Sequence, residues 1–154
     1  PAKSDMQGNW RWVVAEFHDG ALTSSKLWVA GVAKTLTQQK GTSLNRDIKT
    51  QWSLGNRGAM GSSADSFMFS GNIDEVAIFD GVLTTSQREE LANAGYNKPA
   101  GPIEDHSLWA TKVLFAARMG EADTDSGSVL EDLKGSNDGT CYNMVAGNIE
   151  EDAP

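Results

Sequence analysis

Apolar residues along this chain fall in short blocks separated by Gly, Asn, Ser and Asp, the pattern of short strands and turns. Trp10–Phe17 reads as a strand, being rich in aromatic and β-branched residues. The turn His18–Ser25 follows, and then a second strand over Lys26–Ala33 that ends in a Gly turn. Together these two strands predict an antiparallel hairpin. Lys34–Asp47 is polar, with weak strand character at Thr35–Thr37, and Ile48–Leu54 reads as a strand. Gly55–Asp65 is a Gly/Ser/Asn-rich surface loop.

The next block is the most regular. Ile73, Val76, Ile78 and Phe79 are β-formers between Gly71 and Gly81. Period two puts Asp74 on the parity of Val76 and Ile78, and Glu75 on the opposite face. Beyond the Asp80-Gly81 turn, Thr84 with Gln87 three residues on has the spacing of a capping box. The predicted helix runs from Thr84 to about Ala94, stops at Gly95 in a left-handed C′ position, and packs Leu91 and Ala94 on the strands. Tyr96–Pro102 is a break. Leu108–Met119 fits either a helix or a strand, and a strand with a helical N-terminal part is expected. Glu121–Gly139 is acidic and Gly/Ser-rich, interrupted by Val129-Leu130 and Leu133, with a turn at Asn137-Asp138-Gly139. Thr140–Met144 is a short strand, and Asn148–Pro154 an acidic tail.

These blocks resemble, in order, the second half of a laminin-G-like, concanavalin-A-like jelly roll. The matching elements are Trp12-Val13-Val14-Ala15, Asp19-Gly20, Lys26-Leu27-Trp28-Val29-Ala30-Gly31, Ser53-Leu54-Gly55, Gly71-Asn72-Ile73-Asp74-Glu75-Val76 and Leu83-Thr84. The resemblance implies an all-β antiparallel jelly-roll sandwich, incomplete or rearranged, with one short helix near 84–94. Relatives carry a first half before the Trp strand, and this sequence departs from them there. Ala117-Arg118-Met119-Gly120-Glu121, Asp125-Ser126-Gly127 and Ser136-Asn137-Asp138-Gly139-Thr140 look like the opening of a family domain. On this reading Val113–Met144 completes the sheet as a permuted edge or packs on a partner, or else the missing half is a separate cleaved piece. The order of these blocks and the acidic tail is also similar to C-terminal regions of marine bacteriophage virion proteins. The expected organisation is an irregular segment 1–9, a jelly-roll portion 10–98 and a C-terminal extension 99–154.

Composition narrows the function. The chain has 154 residues, the length of one domain, and a formal net charge of −8. That balance argues against a nucleic-acid partner, which needs a basic face. No apolar run approaches the roughly 18 residues of a membrane span. The single cysteine, Cys141, excludes an intrachain disulfide and reads as an idle thiol. The sequence opens at Pro1 without an initiator Met, as a processed product or a fragment does, so a missing signal peptide says little about the parent protein.

The fold hosts lectins, glycosidases, adhesion modules and viral structural domains, so function rests on residues. Jelly-roll glycosidases carry their carboxyls as Glu-x-Asp-x-x-Glu or Glu-x-Asp-x-Glu on one strand, and no such run occurs. Glu121-x-Asp123-x-Asp125 has alternate spacing but lies in the acidic loop. His18 and His106 have no Cys or His at zinc-ligand spacing. Calcium is the cofactor the resemblance implies, through Asp74; the competing role for Asp74 is a carboxylate accepting backbone hydrogen bonds. Glu121, Asp123 and Asp125 form a second candidate calcium set, or a solvated acidic loop. Of the five tryptophans, Trp52 beside Asn56 and Arg57 is the best-placed sugar platform.

The leading expectation is a non-catalytic structural or adhesion module of a phage virion, a capsid decoration or a tail or fibre component. Its partners would be other virion subunits or further copies of itself, and surface glycans form a further class. The alternative is a calcium-supported carbohydrate-binding domain of a secreted or surface protein. Both place the chain on a virion or outside a cell.

Overall fold

The computed structural model describes residues 8–18, 22–37, 54–55, 69–96, 98–118 and 129–141. The regular elements of these residues are mostly strands, with a single α-helix, consistent with an all-β class. The predicted strand at Ile48–Leu54 lies outside the described residues, apart from Leu54.

The first sheet is a meander of β1 (Val13–Glu16), β2 (Lys26–Val29) and β3 (Val32–Lys34), in the order β1-β2-β3. A 3-10 turn at Leu22–Ser24 leads into β2. The hairpin expected between the first two strands is present, with Val13 opposite Val29 and Glu16 opposite Lys26. The second strand, expected to be continuous over Lys26–Ala33, is instead two strands. Ala30 (φ 49°) and Gly31 (φ 74°) both adopt left-handed backbone, which makes a two-residue turn whose twist suits a tight hairpin. Gly31 is required twice over: a Cβ there would stand 3.0 Å from ring atoms of Tyr96.

β4 (Val76–Phe79) pairs antiparallel with β5 (Val113–Ala117), with an irregularity between Ile78 and Phe79. Of the segment that looks like a family opening, Ala117 alone lies on β5, opposite Val76. Period two does not extend back to Asp74 and Glu75 as the sequence suggests. Glu75 has φ 50°, its N–H donates to Asp74 Oδ1 at 2.8 Å, and the strand begins only at Val76. Over the described part of the Leu108–Met119 block, up to Arg118, the expectation holds: bonds from Trp109 N to His106 O and from Lys112 N to Leu108 O make a helical turn ahead of β5 (Val113–Ala117).

The helix α1 (Thr85–Leu91) starts where its chemistry says. Thr84 Oγ1 accepts from Gln87 N at 3.2 Å, and Thr84 N donates to Gln87 Oε1 at 2.9 Å. It ends three residues before the expected Ala94. Ala92 is already extended and bridges Pro99, while Asn93 N bonds Lys98 O and Ala100 N bonds Leu91 O. These long-range bonds outcompete another helical turn. The left-handed residue is Tyr96 (φ 49°) and not Gly95, and Ala94 is exposed where packing was expected, whereas Leu91 is buried.

The core joins Leu83, Leu91, Ile103, Leu108, Val113 and Ala116. Trp12 packs on it from the first sheet, and Phe79, Trp109 and Leu133 from other sides. Trp12 is tied in by its backbone as well, donating to Tyr96 O and accepting from Ala30 N, both at 2.9 Å.

A third pairing, β6 (Val129–Leu130) with β7 (Gly139–Thr140), closes a hairpin whose connecting segment is organised by Asp132. This carboxylate is buried, and it accepts from Ala116 N, Lys134 N, Asn137 N and Asn137 Nδ2 at 3.0–3.3 Å. Leu133 N donates to Ala116 O at 2.8 Å, so the segment docks on β5 through both backbone groups of Ala116. Lys134 Nζ reaches Trp109 O at 2.6 Å and lies 4.5 Å from the centre of the Trp109 ring. Burial pushes the Asp132 carboxyl up, but the donors from Lys134, Asn137 and Ala116 outweigh it and hold the group below its ordinary value.

Two outcomes test these anchors. Thr84→Ala removes the cap acceptor and should cost about 1 kcal/mol in urea denaturation followed by circular dichroism. Asp132→Ala leaves buried N–H groups without an acceptor and should cost about 1–3 kcal/mol at neutral pH. Because the folded-state pKa of Asp132 is depressed, its contribution is complete above the unfolded value near 3.9 and fades as pH falls through the folded one. The stability difference between wild type and Asp132→Ala should therefore shrink as pH is lowered below the unfolded carboxyl value.

Candidate functional site

The register of the first sheet sorts its side chains onto two unlike faces. Directly paired residues share a face, so Val13, Ala15, Leu27, Val29, Val32 and Lys34 lie on one side, and Val14, Glu16, Lys26, Trp28 and Ala33 on the other. The second face turns toward the helix: Arg88 of α1 stacks over the Trp28 ring, 4.1 Å from its centre. Arg88 is held there by Leu83 O at 2.5 Å and Thr85 Oγ1 at 3.1 Å.

The first face is apolar and open. Val13 is 44% exposed, Val32 58%, and Phe17, just past the end of β1, 75%. Val29 at its centre is buried. Five of the six positions on this face are aliphatic, so it offers contact area and shape but no acid, base or nucleophile. Its chemistry is that of a binding surface.

At the edge of this sheet sits a charged cluster. Glu16 is buried, and its Oε1 meets His18 Nε2 at 2.5 Å and Lys26 Nζ at 3.4 Å. Ser25 Oγ accepts the His18 backbone N–H at 3.2 Å, which fixes the chain there without engaging the imidazole. The His18 hydrogen bond, with the Lys26 charge, holds the Glu16 carboxyl below its ordinary value against the opposing effect of burial. Sequence reasoning missed this cluster. The signal was present, because a hairpin that sets Val13 against Val29 also sets Glu16 against Lys26.

The predicted site residues are placed as follows. Trp52, Asn56, Arg57, Glu121, Asp123 and Asp125 lie outside the described residues. Asp74 is half-buried and accepts the Glu75 backbone N–H, the arrangement of a local turn. Glu75 carries the longer-range contact: its Oε1 accepts from Arg118 Nε at 3.1 Å, and Arg118 Nη1 also reaches Glu104 Oε1 at 3.3 Å. Among the described residues, no group of three or more His, Cys, Asp or Glu side chains is placed to hold a metal ion.

Substituting Glu16→Gln should lower stability by about 1–3 kcal/mol at neutral pH, the usual scale for a hydrogen bond to a charged group. The depressed folded-state pKa makes this difference largest above the unfolded carboxyl value and smaller as pH falls through the folded one. Thermal unfolding of both proteins between pH 3 and 7 measures it. Compared with protein-family models, curated proteins and solved structures, the chain matches none.

Proposed function

We propose that this chain is a non-catalytic structural module of a virion, a piece of jelly-roll sandwich that docks on a neighbouring subunit through the open face of its first sheet. The observation that carries this reading is the apolar surface of Val13, Phe17 and Val32, backed by a second face already engaged with α1. The sheet order is compatible with this: among the described residues β1 and β3 are the outer strands of the meander. The virion assignment rests on the similarity of the C-terminal blocks to phage virion proteins. The absence of a jelly-roll glycosidase carboxylate run favours a role without catalysis.

The occupant is a β-rich segment of another virion subunit. A net charge of −8 disfavours pairing of identical chains and favours a partner of opposite balance. Light scattering after size exclusion should show the isolated chain as a monomer, and as a complex when mixed with the structural proteins encoded beside it. Val32→Lys and Phe17→Ser should each weaken that complex at least tenfold while the circular dichroism spectrum is unchanged. Failure to bind any of those proteins, or binding that both variants retain, overturns the reading. A self-associating wild type would move the partner to a second copy, and glycan binding lost in Trp52→Ala would replace the assembly role with a lectin one.

A further inference from the structure

We propose that Trp12 and His106 hold one buried water molecule between them, in a cavity that joins the first sheet to the core. The cavity is lined by Trp12, Glu75, Leu91, Pro99, Ile103 and His106 among others, and offers about 10 Å³ to the centre of a water molecule. That is close to the space one water needs. Two of the lining residues present buried nitrogen atoms that make no hydrogen bond to protein, the indole Nε1 of Trp12 and Nε2 of His106. A buried polar atom left without a partner costs about 1–3 kcal/mol, so two in one cavity mark a polar site rather than a packing defect.

The chemistry of the two atoms is complementary through water. Trp12 Nε1 can only donate. On the far side of the imidazole, His106 Nδ1 lies 3.7 Å from Glu90 Oε1, and Ser107 holds that carboxylate with its N–H at 3.0 Å and its hydroxyl at 2.9 Å. A carboxylate facing Nδ1 favours the tautomer with its proton on Nδ1, which leaves Nε2 an acceptor. A water accepting from Trp12 and donating to His106 satisfies both. The bridge would link the entry to β1 with the turn that follows the 3-10 segment Ile103–Asp105, two parts of the chain far apart in sequence.

The test is nuclear magnetic resonance on the uniformly ¹⁵N-labelled full chain. Expected are an Nδ1–H tautomer for His106 and a rotating-frame Overhauser cross-peak between the Trp12 indole proton and long-lived water. His106→Phe should abolish that cross-peak while the Trp12 indole proton stays protected. An Nε2–H tautomer, an absent water cross-peak in the wild type, or a scalar coupling across a direct Trp12–His106 hydrogen bond would each overturn the proposal. The wild-type spectra decide it even where the variant does not fold.

Discussion

The antiparallel pairing of Val76–Phe79 with Val113–Ala117 is the contact on which the rest depends. It sets two alanines, Ala77 and Ala116, directly opposite each other, and small side chains there let covering elements approach closely. In β5 only Leu114 is exposed; Phe115, Ala116 and Ala117 are consecutive and buried. Because successive residues face opposite sides, that run means both faces of the strand are covered. Leu91 of α1 and Ile103 belong to the same core as Ala116, and the Asp132 segment holds the Ala116 backbone. Helix, hairpin and first sheet all reach their places by contact with this pair or with what packs on it.

Asp132 shows how a polar residue can do the work of a strand. Among the described residues, no regular strand pairs with the second edge of β5 at Ala116. Leu133 gives a backbone donor and the Asp132 carboxylate gives the acceptor, so both backbone groups of a buried residue are paired. The same carboxylate closes its own loop through Lys134 and Asn137, while Asp132 N donates to Asp138 Oδ1. The turn signal at Asn137-Asp138-Gly139 was legible because Asn and Asp bond their own backbone at short range. The docking on Ala116 was not, because it depends on a partner distant in sequence.

The same division runs through the rest of the chain. The helix start was readable, since Thr84 and Gln87 cap each other within four residues. Its end was not, since the bridge from Ala92 to Pro99 overrides the local invitation of Gly95. The break between β2 and β3 was hidden because Ala30, a residue that rarely takes left-handed backbone, fills the first turn position usually held by Asn, Asp or Gly. The pairing of Val113–Ala117 with Val76–Phe79 was not legible, because it joins residues far apart in sequence and its register is set by packing. Of the candidate site residues, Trp52, Asn56, Arg57, Glu121, Asp123 and Asp125 fall outside the described segments, and Asp74 accepts the Glu75 backbone N–H. The open apolar face appears only once register assigns Val13, Val29 and Val32 to one side.

That face has a definite energetic reach. Fully burying a Val or Phe side chain yields about 1.5–3 kcal/mol, so Val13, Phe17 and Val32 together offer about 5–9 kcal/mol at most. They are already partly buried, which lowers the figure. Association costs an estimated 4–15 kcal/mol in lost translational and rotational freedom before any side chain is ordered. The face alone therefore sits near the break-even point for a stable complex. On the proposed reading, a partner that covers the face and also pairs its backbone with a strand of the first sheet would gain hydrogen bonds that burial of the apolar side chains alone does not supply.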